Sequence, residues 1–327
     1  MPRFRIMDLD RFYKECRLCP RNCGVDRTSN RRGFCGEGSR LRVAYAGPHL
    51  GEEPPISGQR GSGTVFFTGC SLGCTYCQNY QISRQGLGNF TDTQDLFHRI
   101  ASMILEHGVH NVNLVTPDHF FPHTFELVSL LREKGFRVPI VYNVSGYQSS
   151  EMVRMAQDYG DIYLPDFKYS DKRLSKALSG CEDYPEVALD AISQMVKQKG
   201  FLASDEGEPG IAKRGVLVRH LILPGKTKNT LDALTTLFLE FGPSLPLSLM
   251  SQFCPAKATR DHSLNRTITR EEFDRAYEHV LELGFEHIYV QLPEEADLGA
   301  WEIDPFLPDF RLEDPFSHDR RVSRRGK

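Results

Sequence analysis

Residues 64–79, TVFFTGCSLGCTYCQN, contain the pattern from which the fold and the chemistry can be predicted. The apolar run at the start predicts a buried strand, and Cys70, Cys74 and Cys77 follow it directly. Thiolates are soft ligands that suit iron–sulfur clusters or zinc. No fourth cysteine follows at close spacing, so a four-iron cluster bound here would keep one iron open to another ligand. The alternative is a structural zinc site that takes its fourth ligand from elsewhere in the chain.

From residue 64 to residue 292 the chain alternates between strand-like and helix-like segments. Apolar runs such as NVNLVTP and PIVYNVSGY predict strands, and amphipathic segments such as TQDLFHRIASMILEHG predict helices. Repeated strand–helix units predict parallel strands joined by right-handed crossovers. There are about six or seven such units, which predicts a partial or nearly closed α/β barrel with its chemistry at the C-terminal ends of the strands.

The composition predicts a globular protein with a large core, because 40% of the 327 residues are hydrophobic and 25% are charged. The formal net charge of −3 provides no general attraction to nucleic acid or to anionic membranes. No stretch reaches the ~18 apolar residues that a membrane span needs, and the N-terminus lacks the apolar core of a signal peptide. We therefore expect a cytoplasmic protein with reduced thiols and without a membrane or nucleic-acid partner.

Four further cysteines lie near the N-terminus: Cys16, Cys19, Cys23 and Cys35. Four thiolates can complete a tetrahedral zinc site or hold a second iron–sulfur cluster, and the spacing does not decide between these metals. The surrounding segment has little apolar content, so it needs such a metal centre in order to fold. Nearby arginines would offset the charge of the thiolates: Arg17, Arg21, Arg27, Arg31 and Arg32.

These patterns divide the chain into four parts. Residues 1–40 are expected to form a cysteine-rich metal-binding module, and residues 41–63 a connecting loop with a short strand. The barrel is expected to span residues 64–295. Residues 296–327 are expected to form a C-terminal extension that ends in a mobile basic tail.

The three-cysteine motif after the first barrel strand, with Tyr76 just before the third cysteine, resembles the signature of the radical S-adenosylmethionine (SAM) superfamily. Further strings extend the resemblance over residues 16–292, toward a branch related to pyruvate formate-lyase activating enzymes: CRLCPRNCGV, RGFCGEG, PHLGEEPPISG, VYNVSGY, LPDFKYSD, VRHLILPG and SLMSQFCP. The resemblance implies a partial (β/α)6-type radical SAM barrel, a [4Fe–4S] cluster on the three cysteines, and SAM on the open iron. It also implies a reductant such as flavodoxin or ferredoxin, and cleavage of SAM to methionine and a 5′-deoxyadenosyl radical.

The resemblance implies a set of SAM-binding residues. Asp166 and Lys168 in LPDFKYSD are similar to the Asp-x-Lys of glycyl-radical activases, near the methionine end of SAM. A carboxylate and an ammonium group suit that zwitterion, although a surface ion pair is the alternative. Asn143 and Ser145 in VYNVSGY are implied contacts of the SAM ribose or carboxylate, or else they cap the end of a strand. Tyr76 is expected beside the same cofactor.

Three further positions complete the predicted SAM site. Arg219 and His220 end a strand where a cation could meet the SAM carboxylate, with a structural ion pair as the alternative. Many family members bind the SAM amino group with a Gly-Gly-Glu run, and here Leu114–His119 stands in its place. Thr116 and neighbouring carbonyl groups are the expected substitutes, with Asp118 as a source of charge.

We therefore predict a radical SAM enzyme that abstracts hydrogen from an unidentified protein or small-molecule substrate, in a role that resembles that of a glycyl-radical activase. No catalytic residue is assigned beyond the ligands of the cofactors. One alternative is a non-enzymatic iron–sulfur or zinc protein that carries electrons or acts as a scaffold, but an electron carrier normally has four protein ligands per cluster. The other alternative is a radical SAM enzyme that modifies a peptide or RNA, and the sequence has no basic, aromatic-interleaved stripe that would favour RNA.

Overall fold

The computed structural model describes residues 9–204, 210–292 and 315–316, which form an open α/β barrel. Short runs rich in β-branched and aromatic residues form its strands, because such side chains pack well on a pleated, buried surface. The strands are β1 (Arg42–His49), β2 (Ser62–Phe67), β3 (Asn89–Phe90), β4 (Val112–Val115), β5 (Ile140–Val144), β6 (Ile162–Pro165), β7 (Ala203–Ser204), β8 (Ala212–Val216), β9 (Val218–Leu221), β10 (Leu247–Met250) and β11 (Ile288–Val290).

The barrel consists of parallel strands with an antiparallel edge. Strands β2, β4, β5, β6 and β8 lie side by side in parallel, and β1 covers the outer edge of β2 in antiparallel orientation. The segment that continues past β8 breaks at Leu217, and β9 stays beside β6 through a bridge between Asp166 and Arg219. Parallel pairing then continues from β9 to β10 and β11. Within the described residues β11 does not pair with β2, so the barrel is open and the predicted partial barrel is confirmed.

Helices connect the strands, and several begin at side chains that cap their free N–H groups. Asp92 caps α4, and Thr269 with Glu272 forms a capping box at the start of α10. The predicted helix that starts at Thr93 changes to a π-helical turn over Met103–His107. The helices are α1 (Asp10–Lys14), α2 (Pro54–Ser57), α3 (Tyr80–Ser83), α4 (Thr93–Ser102), α5 (Phe121–Glu133), α6 (Ser150–Ala156), α7 (Lys172–Ser179), α8 (Tyr184–Lys199), α9 (Thr227–Phe241) and α10 (Arg270–Leu283).

The segment between β1 and β2 closes one end of the barrel. Ile56 in α2 is fully buried in a cluster with Val141, Ile162 and Leu164 from β5 and β6. Its carbonyl oxygen accepts a hydrogen bond of 2.7 Å from the Asn111 side chain. Because Asn111 directly precedes β4, this contact lies at the N-terminal ends of the strands. The segment between β1 and β2, which the sequence predicts as a connecting loop, therefore closes the N-terminal end of the barrel. The C-terminal ends of the strands stay accessible for chemistry.

The N-terminal module packs directly on the barrel. Tyr13 in α1 is fully buried, and its hydroxyl lies 2.6 Å from Nδ1 of His123 in α5. Ser149, which caps α6, donates its hydroxyl to the Leu18 carbonyl oxygen at 3.1 Å. The module therefore has a fixed orientation toward the C-terminal ends of β4 and β5, which precede α5 and α6.

Two sequence predictions concern the outer parts of the molecule. Among the helices of the described chain, none combines the length and the apolar character of a membrane span. The predicted C-terminal extension lies outside the described residues except for residues 315–316, where Phe316 stacks on Tyr45 with ring centroids 4.9 Å apart. The boundaries drawn after residues 40, 63 and 295 stay predictions.

Candidate active site

The loop over residues 69–77 leaves the C-terminal end of β2 and winds tightly. Gly69 has a φ of +79°, and a Cβ atom there would lie 2.7 Å from the Cys35 carbonyl oxygen. Gly73 has a φ of +69°, and the guanidinium group of Arg84 occupies the space that its Cβ atom would need. A Cβ atom would collide with backbone at Gly69 and would displace the Arg84 side chain at Gly73, and the positive φ at both positions favours glycine for this path of the loop.

The path of the loop brings Cys70, Cys74 and Cys77 close enough for the charges of their thiolates to influence one another. Burial raises the pKa of the Cys70 thiol to about 12, and the charges of Cys74 and Cys77 contribute to this rise. Burial also raises the pKa of Cys77. Ser179 donates its hydroxyl to Cys74 Sγ at 3.2 Å, and Ser83 donates to Cys77 Sγ at 3.5 Å. A bound metal cation would stabilise the thiolate forms of Cys70 and Cys77 against this rise.

Asp166 and Lys168 lie directly after β6 and form the predicted pair. Lys168 Nζ donates to Asp166 Oδ2 at 2.6 Å, and both side chains are more than four-fifths buried. Burial lowers the pKa of Lys168, but the charges of Asp166 and Cys74 raise it by more, so its net pKa lies above the usual value. The pair is therefore a buried one whose ammonium group faces the thiols, and this argues against the alternative of a surface ion pair.

Thr116 directly follows β4, Asn143 lies near the end of β5, and Ser145 directly follows β5. Thr116 has a φ of +55°, which is rare for a β-branched residue, and its N–H donates to the Asn143 carbonyl oxygen at 2.9 Å. Ser145 Oγ accepts a bond of 3.3 Å from Gln148 Nε2. Strained backbone of this kind concentrates at functional sites. Here it lies at the place where the sequence lacks the expected Gly-Gly-Glu run.

Asp118 and Gln148 form a buried pair with unused hydrogen-bonding capacity. Asp118 is fully buried and accepts a hydrogen bond from Gln148 Nε2 through Oδ1. Asp118 Oδ2 and Gln148 Oε1 have no hydrogen-bond partner among the described residues. Burial raises the pKa of Asp118 to about 6, although the bond from Gln148 lowers it. Buried acceptors are normally satisfied, so these two oxygens indicate a place for the N–H groups of a ligand.

Two of the predicted SAM residues are instead engaged inside the protein. The Tyr76 side chain is 7% exposed, and its hydroxyl oxygen accepts a hydrogen bond of 2.9 Å from Tyr169. The His220 ring contacts the Phe167 carbonyl oxygen at 2.6 Å and the Thr230 hydroxyl at 3.1 Å. Burial lowers the pKa of His220 to about 4, so the ring is neutral and offers no cation to a carboxylate. The geometry therefore does not support SAM contacts by these side chains.

Arg219 binds carboxylates of this chain and not the SAM carboxylate that the sequence predicts for it. Its Nε donates to Glu53 Oε1 at 2.8 Å, its Nη2 also contacts Glu52, and Asn113 Nδ2 donates to Glu52 Oε1 at 2.7 Å. Burial lowers the pKa of Arg219, but Glu53 and Glu52 raise it well above its usual value. Of the two alternatives for Arg219, the structure contains the ion pair. The sequence did not reveal its partners, because two adjacent glutamates in a turn-rich segment resemble a solvated loop.

The N-terminal cysteines form a second group of thiols. Burial raises the pKa of Cys19, and the charges of Cys35 and Cys16 raise it further. Cys23 Sγ accepts a hydrogen bond of 3.4 Å from the backbone N–H of Phe34. Within the described part of the chain, no three His, Cys, Asp or Glu side chains converge on a point where they could hold one metal ion. This holds for the four N-terminal cysteines and for the three cysteines of the central loop alike.

Gln148 and the groups that surround the thiols are functional candidates that the sequence alone does not predict. Asp118 carried a signal, since it is an acidic residue just beyond a predicted strand. Gln148 carried none, because a single glutamine before a helix has no distinctive pattern. The two unused oxygens of this pair become visible only when the ends of β4 and β5 are placed side by side.

A barrel whose C-terminal end holds three thiols, a buried carboxyl group and an ammonium group is suited to an enzyme that binds a metal cluster and a charged cofactor. The sequence matches the family model of the radical SAM superfamily over residues 64–237, which is more than half of the chain. The chain therefore belongs to the radical SAM superfamily.

Comparison with individual proteins gives more distant relatives. The chain is 28% identical over 290 residues to an uncharacterized protein of Methanocaldococcus jannaschii, with 85% of this chain and 77% of that protein covered. Among solved structures, Streptococcus suis SuiB bound to SAM has a TM-score of 0.47 and 11% identity, and the match covers 72% of this chain and 51% of SuiB. This chain thus spans about half the length of SuiB.

Two further structures are similar at the same remote level. Methylornithine synthase (PylB) has a TM-score of 0.43 and 17% identity, with 72% of this chain and 75% of that chain covered. A domain of a pyruvate-formate lyase-activating enzyme from Bacteroides vulgatus has a TM-score of 0.37 and 14% identity, with 56% of this chain and 99% of that domain covered. These likenesses are too remote for an argument about substrate.

Proposed function

We propose that this radical SAM enzyme cleaves SAM reductively at a [4Fe–4S] cluster held by Cys70, Cys74 and Cys77, and that it abstracts hydrogen from a protein substrate as glycyl-radical activases do. The main support is the position of the three cysteines on one loop at the C-terminal end of the first parallel strand of a radical SAM barrel, where their charges influence one another. The protein substrate rests on the resemblance of the sequence strings alone, and we propose it on that basis.

The residues around the thiols fit both cofactors. The thiolates of Cys70, Cys74 and Cys77 would hold the cluster, which would supply the electron for reductive cleavage of SAM. Lys168 attracts the carboxylate of the methionine moiety, and its bond to Asp166 fixes its direction. The unused oxygens of Asp118 and Gln148 accept N–H groups from the amino end of SAM. Because all four side chains are largely or fully buried, they also keep water from the reactive carbon.

Reductive cleavage of SAM is the direct test of the proposed function. After anaerobic reconstitution with iron and sulfide, the protein is expected to form 5′-deoxyadenosine from SAM when dithionite is added, and chromatography with mass detection measures this product. Adding SAM is also expected to change the electron paramagnetic resonance (EPR) spectrum of the reduced cluster, because SAM occupies the open iron. An intact cluster whose spectrum ignores SAM, with no 5′-deoxyadenosine formed, would indicate an electron carrier instead.

Replacement of Asp118 by asparagine is expected to weaken SAM binding. The change removes a charge-assisted hydrogen bond to the amino group, which corresponds to an affinity about 10- to 100-fold lower. In the wild type the affinity should fall as the pH drops through about 6, since protonation neutralises the carboxylate. Equilibrium dialysis with radiolabelled SAM measures both effects. Asp190→Asn, which alters an exposed carboxylate on α8, is the matched control and should bind like the wild type; equal affinities for Asp118→Asn and the control would exclude the contact.

Several accompanying features are part of the same proposal. The cysteines Cys16, Cys19, Cys23 and Cys35 hold a second metal centre, either zinc or an iron–sulfur cluster, and measurement of iron and zinc in a Cys23→Ser variant distinguishes the two metals. A low-potential donor such as flavodoxin or ferredoxin supplies the electron. We place the protein in the cytoplasm, since the proposed chemistry needs reduced thiols.

A further inference from the structure

Arg21 of the N-terminal module binds the backbone of the cluster-binding loop. Its Nε donates to the Ser71 carbonyl oxygen at 2.9 Å, and its Nη2 donates to the Leu72 carbonyl oxygen at 2.9 Å. The same guanidinium group donates to the carbonyl oxygens of Ser179 at 2.6 Å and Gly180 at 2.7 Å. Four carbonyl groups from two segments of the barrel thus converge on one side chain that comes from outside the barrel.

Arg84 completes the arrangement from the other side of the loop. Its Nη2 donates to the Gly73 carbonyl oxygen at 3.1 Å, so the three consecutive carbonyls of residues 71–73 all bind to arginine. The guanidinium carbons of Arg21 and Arg84 lie 3.7 Å and 4.5 Å from the centre of the Phe34 ring. Cation–π contact with Phe34 therefore joins the two arginines into one unit, which we name the Arg21–Phe34–Arg84 clamp.

The clamp is connected at one end to the N-terminal cysteines. Arg21 lies between Cys19 and Cys23 in the sequence, and Phe34 directly precedes Cys35. The backbone N–H of Phe34 donates to Cys23 Sγ at 3.4 Å. A metal centre that fixes these thiolates therefore also fixes the backbone positions from which Arg21 and Phe34 extend.

The clamp is connected at its other end to the sulfur ligands of the central site. The residues whose carbonyls it binds, 71–73, are the whole connection between Cys70 and Cys74. Arg21 also holds the backbone of Ser179, whose hydroxyl donates to Cys74 Sγ at 3.2 Å. Partners of this kind orient the direct ligands of a metal and bring positive charge close to the thiolates.

We propose that the Arg21–Phe34–Arg84 clamp positions the cluster-binding loop and makes the central site depend on the state of the N-terminal cysteines. Loss of the N-terminal metal centre then loosens the clamp, which misplaces the thiolates of Cys70 and Cys74 and weakens SAM binding at the open iron. This inference rests on the proposed function, because it assumes a cluster on Cys70, Cys74 and Cys77 and a metal centre on the N-terminal cysteines. Arg21 acts here as a positioning residue, since it contacts the ligand loop and not the reacting atoms.

Variants of the reconstituted full-length protein test the clamp. Arg21→Lys keeps the charge but loses the planar fork of donors, and it is expected to bind SAM about 10- to 100-fold more weakly and to alter the EPR spectrum of the reduced cluster. Phe34 is 39% exposed, so its variants should fold normally. Phe34→Leu is expected to act like Arg21→Lys, whereas Phe34→Tyr keeps the aromatic face and should behave like the wild type. Arg17→Lys is the matched control, because Arg17 lies in the same module and, within the described residues, its hydrogen bonds go to Glu15 and Asn22.

The coupling to the N-terminal cysteines has its own measurement. Cys23→Ser is expected to alter the EPR spectrum and SAM affinity in the same direction as Arg21→Lys. The double variant Arg21→Lys/Cys23→Ser should bind SAM no more weakly than the more affected of the two single variants, because both changes release the same clamp. Additive losses, or wild-type spectra and affinities for Arg21→Lys and Phe34→Leu, would overturn the proposal. A wild-type protein that binds no central cluster would instead refute the proposed function.

Discussion

Replacement of Cys70, Cys74 or Cys77 by serine is expected to abolish the central cluster and, with it, the formation of 5′-deoxyadenosine. A serine hydroxyl is a hard and weakly acidic ligand that does not substitute for a thiolate on iron. Each variant should lose about four iron atoms per chain relative to the reconstituted wild type. Iron and sulfide analysis, together with the EPR spectrum of the reduced protein, measures this loss.

The control for the cysteine variants is Cys254→Ser. Cys254 is a partly exposed cysteine that follows β10, outside both groups of thiols. This variant should keep the iron content and the SAM cleavage of the wild type. If Cys77→Ser retained a full cluster, or if Cys254→Ser lost it, the three-cysteine assignment would have to be abandoned.

Replacement of Arg219 by methionine is expected to cause the largest loss of stability. The arginine is 7% exposed and balances two carboxylates inside the barrel, Glu52 and Glu53. Removal of one partner from a buried ion pair leaves uncompensated charge and costs about 3–5 kcal/mol of the free energy of unfolding. Urea denaturation followed by circular dichroism measures this change. Lys228→Met, which breaks the exposed ion pair with Asp232, is the control and should leave the stability close to that of the wild type.

The pH dependence of the same variant has a defined sign. Burial raises the pKa of Glu53, but Arg219 lowers it by more, so its net pKa lies below the usual value. In the wild type Glu53 therefore contributes stability that is present above its unfolded pKa and is lost as the pH falls through its folded pKa. In Arg219→Met the lowering by Arg219 is lost while burial still acts, so the pKa of Glu53 rises and protonation relieves the unpaired charge. The difference in stability between the two proteins should thus shrink as the pH falls.

A second substitution separates charge from packing at this site. Adding Glu52→Gln and Glu53→Gln to Arg219→Met removes the unpaired charges while the shapes of the side chains are kept. This triple variant is expected to recover much of the lost stability at neutral pH. If it were as unstable as Arg219→Met alone, the packing of the arginine stem would be the main contribution of this residue.

The ligand loop and the barrel were predictable because both depend on local sequence. Three cysteines within eight residues after an apolar run can lie only on one loop at the end of one strand, and the structure places them there. The strands and helices alternate as the apolar periodicity indicated. The family match over residues 64–237 agrees with the resemblance seen in the motif strings.

The partners of the charged side chains were not predictable because they come from distant parts of the chain. Arg219 is separated by 166 residues from Glu53, and Arg21 by 158 residues from Ser179. A single sequence contains no information about which of many carboxylates or carbonyl groups will meet a given arginine. For this reason the sequence predicts SAM contacts for Arg219 and His220. In the structure Arg219 is held by two glutamates, and His220 by a carbonyl and a hydroxyl group.

The sequence by itself determined the class of fold, the three-cysteine loop and the expectation of an open iron, because these follow from spacing along one short segment and from repeated apolar patterns. Only the tertiary structure decided which polar groups surround the thiols. It buries Asp118 and Gln148 with unused oxygens. It also places two adjacent glutamates against Arg219 and brings Arg21 onto the loop of the three cysteines. The physical reason is that burial and hydrogen bonding depend on how the ends of separate strands meet in space, and spacing along the chain does not encode that meeting.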